Sequence, residues 1–160
     1  VASCDRCQRW KKPSGVPAGY LQPIDIRVDP FSRVSLDLLG PFRLSSSGNK
    51  WIAVATDYTT CYAVTRAIPT NCATDVAAFL LHDVILLHGA PRQLLIDRGH
   101  CFLARVVDEI LRYCSIKHYF TTAYHPQTNG LTERLNRTLR DMLSMCVSDD
   151  HRGWDVTLPF

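Results

Sequence analysis

The hydrophobic pattern of this chain changes period partway along, and that change restricts the fold more than any other feature. Val34, Leu36 and Leu38 alternate with Ser35 and Asp37, the two-residue period of a half-buried strand. Trp51 to Thr56 is a nearly continuous apolar run, which predicts a central strand. Tyr62 to Ile68 reads as a third strand after a Thr59-Thr60 turn. From Asn71 to His88 the period becomes helical. Val76, Phe79, Leu80, Val84 and Leu87 fall on one face, and Gly89 with Pro91 stops the helix. Leu94 to Ile96 is a short buried strand ending at Asp97. Leu103, Val106, Val107, Ile110, Leu111 and Cys114 mark a second amphipathic helix, followed by a strand from Ile116 to Phe120. Leu135, Leu139, Met142, Leu143 and Cys146 give a third helix its apolar stripe. Three strands close in sequence predict an antiparallel meander. The strand–helix units after it predict a mixed sheet with helices on its faces, an α/β fold.

The first thirty residues are different. Residues 1–13 are polar and basic, and they hold the closely spaced pair Cys4 and Cys7. Residues 14–30 carry Gly15, Pro17, Gly19, Pro23 and Pro30, a linker composition. The globular unit is therefore expected over residues 31–160. An apolar share of 46% and a charged share of 21% exclude a disordered chain. The net charge is +3, and arginines outnumber lysines fourteen to four. Arginine suits phosphate oxygens because its fork donates two parallel hydrogen bonds, although a solvated surface could carry the same bias. No apolar run approaches the roughly 20 residues of a membrane helix. Cys61, Cys72, Cys101, Cys114 and Cys146 stand singly among apolar residues, as small hydrophobes of a reducing compartment do. An intracellular protein with no membrane partner is expected.

Three carboxylates occupy places where a charge needs a reason. Asp37 lies inside the first strand, Asp97 ends the fourth, and Glu133 stands in the first turn of the last long helix. Carboxylates in buried elements are costly unless paired or bound to metal. An all-oxygen ligand set suits Mg²⁺ or Mn²⁺, and two such ions can activate an attacking oxygen and stabilise a leaving one. Asp37 would bridge both ions, with Asp97 and Glu133 holding one each. Each residue also has a plainer explanation. An Asp at a strand end starts turns, a Glu in a first helical turn satisfies the helix dipole, and Asp57 ends the second strand much as Asp97 ends the fourth.

The joint pattern is more specific. Thirty-five residues stand between Asp97 and Glu133; among them is TTAYHPQTNG, and Glu133 opens ERLNRTL. With PFSRVSLDLLGPF, GNKWIAVATDY, HGAPRQLLIDRG and WDVTLP, these segments spread over residues 30–159. The chain resembles the D,D-35-E core of retroviral and LTR-retrotransposon integrases, most of all gypsy-type elements. The resemblance implies an RNase H-like fold, a five-stranded mixed sheet flanked by helices and lacking its last helices here. It matches the first family aspartate to Asp37, within LDLLGPF, and leaves Asp57 as structural. It implies two DNA reactions, trimming of the element's ends and transfer of the new 3′-hydroxyls into target DNA. The expected partners are double-stranded DNA and further copies of the chain, with the nucleus as the place of action.

Other residues follow from the same comparison. Glu133, Asn136, Arg137 and Arg140 follow helical i, i+3, i+4, i+7 spacing on a polar face. The family places DNA contacts on this helix; the plainer alternative is a surface pair of Glu133 with Arg137. Tyr124, His125, Gln127 and Asn129, in the loop before it, are candidates for base or phosphate contact. Cys4 and Cys7 resemble the second half of a His-His-Cys-Cys zinc module, whose two histidines would precede Val1. Zn²⁺ is then expected only with those histidines present. Two rival functions stay open: an integrase-derived protein that binds DNA or a protein without catalysis, and a nuclease of the same fold.

Overall fold

The computed structural model describes residues 29–97, 99–120, 130–146 and 152–158. Strands β1 (Arg33–Leu39), β2 (Trp51–Asp57), β3 (Ala63–Ile68), β4 (Gln93–Ile96) and β5 (Lys117–Phe120) form one sheet in the order β3-β2-β1-β4-β5. The first three pair antiparallel as the expected meander, while β4 runs parallel to β1 and β5 parallel to β4. β1 is the middle strand, and β2, flanked by β3 and β1 and almost wholly buried, is an interior strand as its apolar run predicts. The alternation in β1 is less clean than the sequence implied, because Ser35 is buried and Leu38 half-buried. A strand in the middle of a sheet covered on both faces has no solvent side. β5, by contrast, is an edge strand whose four residues are all exposed, polar at Lys117 and His118 and aromatic at Tyr119 and Phe120.

Helix α1 (Ala73–Phe79) runs on through a π-helical stretch, Leu80–Ile85, into a closing turn, Leu86–His88. Val76, Phe79, Leu80 and Val84 are fully buried, each stabilising the fold by roughly 1.5–3 kcal/mol before entropy is counted. Leu87 does not join them and is 70% exposed. The i→i+5 winding widens the turn, so the apolar face returns later than an α-helical count expects. Helix α2 (Arg105–Tyr113) buries Val107 and Leu111. Leu103 and Val106, expected on its apolar face, are exposed; Leu103 precedes the helix and Val106 lies on its outer side. These helices pack on one face of the sheet, against Val34, Leu36, Ala53, Ala55, Leu94 and Ile96.

Helix α3 (Gly130–Cys146) covers the opposite face. There Leu39, Ile52, Val54, Leu143, Trp154 and Leu158 form a second core, with Leu135 and Leu139 packed against it. Met142, expected in the stripe, is 44% exposed, and the side chain of Cys146 lies outside the described residues. Trp154 anchors the segment after α3, its indole N–H donating to the Arg43 carbonyl at 2.7 Å.

Candidate active site

The parallel pairing of β1 with β4 aligns Leu36 with Ile96. One step further along each chain stand Asp37 and Asp97. The register therefore makes the two carboxylates neighbours at the carboxyl end of the parallel pair, although sixty positions separate them in sequence. Asp37 pairs with Val54 across the antiparallel ladder, and paired residues share a face. Val54 belongs to the core under α3, so Asp37 faces that helix.

Asp37 is half-buried, and burial pushes its carboxyl above the ordinary range. The backbone N–H of Leu38 and the amide of Asn136 oppose this by donating to it. The charge of Asp97 raises it further, and that of Arg140 lowers it. Asp97 is exposed, and its Oδ1 accepts from the Gly99 backbone N–H at 2.8 Å. A Cβ at Gly99 would come within 2.8 Å of that same oxygen, so a side chain there would have to push the Asp97 carboxylate aside. Cys101 lies in the field of both carboxylates; burial first, then Asp97 and Asp37, push its thiol up. Asp57 has a separate structural task, as the resemblance implied. It is fully buried, and its Oδ2 accepts from the Thr60 backbone N–H and hydroxyl at 2.9 and 2.7 Å, closing the β2–β3 turn.

Helix α3 is set over β1 in step with it. Asn136 Nδ2 donates to Asp37 Oδ2 at 2.6 Å, and the Thr132 and Ser35 hydroxyls meet at 2.8 Å. Two residues of strand advance about 6.6–6.8 Å and four of helix about 6 Å, so both contacts fit one alignment. This corrects the placement of Asn136. It is 6% exposed and turned inward, its amide committed to Asp37, rather than lying on the outer polar face. Glu133, Arg137 and Arg140 are exposed, and no ion pair joins Glu133 to Arg137 among the described residues. The role of Thr132, Ser35 and Tyr58 was not legible beforehand, since hydroxyls at single positions carry no signature.

The residues fit a divalent cation in kind. Asp37 and Asp97 offer hard oxygen ligands whose charges oppose each other, and Asn136 Oδ1 is buried with no hydrogen-bond partner among the described residues. Glu133 stands one helical turn before Asn136. The described residues contain no preassembled cluster of three or more His, Cys, Asp or Glu side chains. Tyr124, His125, Gln127, Asn129, Cys4 and Cys7 lie outside the described residues, as do residues 1–13 and most of 14–30.

Five strands in this order, three antiparallel and two added in parallel, with helices on both faces, define an RNase H-like integrase-core fold. The catalytic core domain of BIV integrase superposes on it with a TM-score of 0.62 at 24% identity, over 81% of this chain and 79% of that one. The family model described as the integrase core domain matches residues 27–126, and the chain belongs to that family. Its similarity is to retrotransposon members in particular. The retrovirus-related Pol polyprotein from transposon 412 of Drosophila melanogaster is 32% identical over 130 residues, 81% of this chain. The transposon Tf2-3 polyprotein of Schizosaccharomyces pombe is 28% identical over 151 residues, 94% of this chain. The chain spans only 10% and 11% of the lengths of those polyproteins.

Proposed function

We propose that this chain is the catalytic part of an enzyme that inserts a retroelement's DNA into other DNA. The observation that carries the proposal is the β1–β4 register, which brings Asp37 and Asp97 together beside the helix bearing Glu133. In this reading Asp37, Asp97 and Glu133 hold Mg²⁺ or Mn²⁺. Such ions, when bound, lower the charge barrier to attack on a phosphodiester and stabilise the leaving oxygen.

The chemistry divides into two in-line displacements. In the first, a water oxygen bonds to phosphorus, the P–O3′ bond breaks, and a free 3′-hydroxyl remains on the element's end. In the second, that hydroxyl bonds to a target phosphorus and the target's own P–O3′ bond breaks. This chain's residues act by positioning and charge. Asn136 holds the Asp37 carboxylate toward α3. Arg137 and Arg140, exposed on that helix, are proposed to meet phosphate oxygens. Tyr124, His125, Gln127 and Asn129 are proposed for the DNA end, and Cys4 and Cys7 for Zn²⁺ once two upstream histidines complete the site. Homo-multimer formation and action in the nucleus belong to the same proposal.

A strand-transfer assay with a short DNA end and Mg²⁺ or Mn²⁺ tests the reading. Activity that disappears in Asp97→Asn and Glu133→Gln is the expected result. Product equal to the unaltered chain in both variants would refute the assignment. DNA binding without any transfer by the unaltered chain would favour a non-catalytic, integrase-derived protein.

A further inference from the structure

The polar contact beneath α3 extends beyond the Asp37–Asn136 bond. Thr132 is fully buried and Ser35 is 2% exposed, their hydroxyls 2.8 Å apart. The half-buried Tyr58 hydroxyl, from the residue after β2, hydrogen-bonds both. Three hydroxyls from three parts of the chain thus converge under the first turn of α3. Apart from Asp37 and Thr56, that sheet face is lined by the apolar Leu39, Ile52 and Val54. Burying hydroxyls there costs desolvation that a valine would not incur. What the hydroxyls add is direction. Apolar contacts tolerate a helix sliding along a sheet, whereas a buried hydrogen-bonded cluster fixes one alignment.

Glu133 lies between two pinned residues, directly after Thr132 and three before Asn136. A slip of α3 by one residue would move Glu133 about 1.5 Å along the axis and rotate it about 100°. Metal–oxygen distances tolerate only about 0.2 Å. We infer that the Ser35–Tyr58–Thr132 hydroxyl cluster is a positioning device for Glu133, fixing the register and rotation of α3 on β1 and so the point on the helix from which the third carboxylate extends toward Asp37 and Asp97 when metal binds. The inference rests on the proposed role of Glu133. Thr132 acts through Glu133 and is a positioning residue, not a catalytic one.

Two substitutions at Thr132 separate positioning from bulk. Thr132→Val keeps the shape and leaves Ser35 and Tyr58 to bond each other. Thr132→Ser keeps the hydroxyl. Mn²⁺ affinity of the full chain is measured by titration calorimetry, alongside strand-transfer kcat and KM for DNA. Thr132→Val is expected to bind Mn²⁺ about 5- to 10-fold more weakly, the worth of one lost hydrogen bond, and Thr132→Ser to stay within about twofold. kcat should fall in the valine variant while KM for DNA holds. Unchanged affinity and kcat in Thr132→Val, when Asp37→Asn has lost Mn²⁺ binding, overturns the inference and leaves the site assignment standing. Mn²⁺ binding that survives Asp37→Asn overturns the site assignment and the inference with it. If Thr132→Val fails to fold, Tyr58→Phe carries the test. A weakening of about two- to threefold is then expected, and none overturns the inference.

Discussion

Asn136 and Asp37, ninety-nine positions apart, share a hydrogen bond of 2.6 Å that ties the last long helix to the central strand. The amide donates to the carboxylate and so favours its ionised form. It opposes the upward push that burial exerts on the same group. Asn136→Ala removes this support, and the Asp37 carboxyl rises further. The acid limb of the pH–rate profile should therefore move to higher pH, with activity at neutral pH down about tenfold, as for a lost hydrogen bond to a charged group. An acid limb identical to that of the unaltered chain would show that the contact has no electrostatic role.

Asp37 also makes the metal-free fold sensitive to pH. Its folded carboxyl is raised above its unfolded value, so its contribution is fully present below the unfolded pKa. That contribution is lost as pH rises through the folded one. Asp37→Asn removes the penalty of an ionised, half-buried group. Without divalent cation the variant should melt higher than the unaltered chain at pH 7–8, and the difference should vanish near pH 3–4, where ordinary carboxyls take up protons. Added Mn²⁺ should raise the melting temperature of the unaltered chain and not of the variant. Thermal melts across pH check both.

A methyl group at Gly99 would crowd the Asp97 carboxylate out of its present position. The Cβ would stand 2.8 Å from Asp97 Oδ1 and 3.3 Å from a Phe102 ring carbon. Gly99→Ala should displace the carboxylate and weaken Mn²⁺ binding while the sheet stays folded, the Phe102 ring at the core's edge giving way slightly. Calorimetry and circular dichroism read the two effects separately.

Trp154 tests the second core independently of the chemistry. It is 3% exposed, packs with Leu39, Ile52 and Leu143, and donates its indole N–H to Arg43. Trp154→Ala should cost about 3–5 kcal/mol, read as a lower denaturant midpoint. Because α3 packs on the same cluster, a loosened core should also reduce Mn²⁺ affinity. Asp155 adds a signature on the acid side. Burial pushes its carboxyl up, but hydrogen bonds from Ser45 and Asn49 outweigh this and hold it below the ordinary range. Its stabilisation is present above the unfolded pKa and lost as pH falls through the folded one.

Hydrophobic period was enough to read the five strands and the three helical regions, because burial imposes period two or 3.6 on whichever side chains meet a core. The integrase motif picked Asp37 over Asp57, and the Asp57 turn agrees with that choice. Other features depended on information that period does not carry. The π-helical stretch turned Leu87 outward because the winding is set by packing, not by the order of apolar residues. Asn136 was read as an outer residue because an amide counts as polar, yet its partner sits on a strand ninety-nine positions away. The Ser35–Thr132 bond was invisible for the same reason: each hydroxyl is ordinary until the two elements are laid together.

The central claim is that Asp37 and Asp97 hold a divalent cation between them. Anomalous diffraction from a crystal of this chain soaked in Mn²⁺ tests it most directly. The account predicts an anomalous peak bonded to carboxylate oxygens of both residues. A crystal saturated with Mn²⁺ whose peaks lie elsewhere, with the Asp37 and Asp97 carboxylates free of metal, would contradict it.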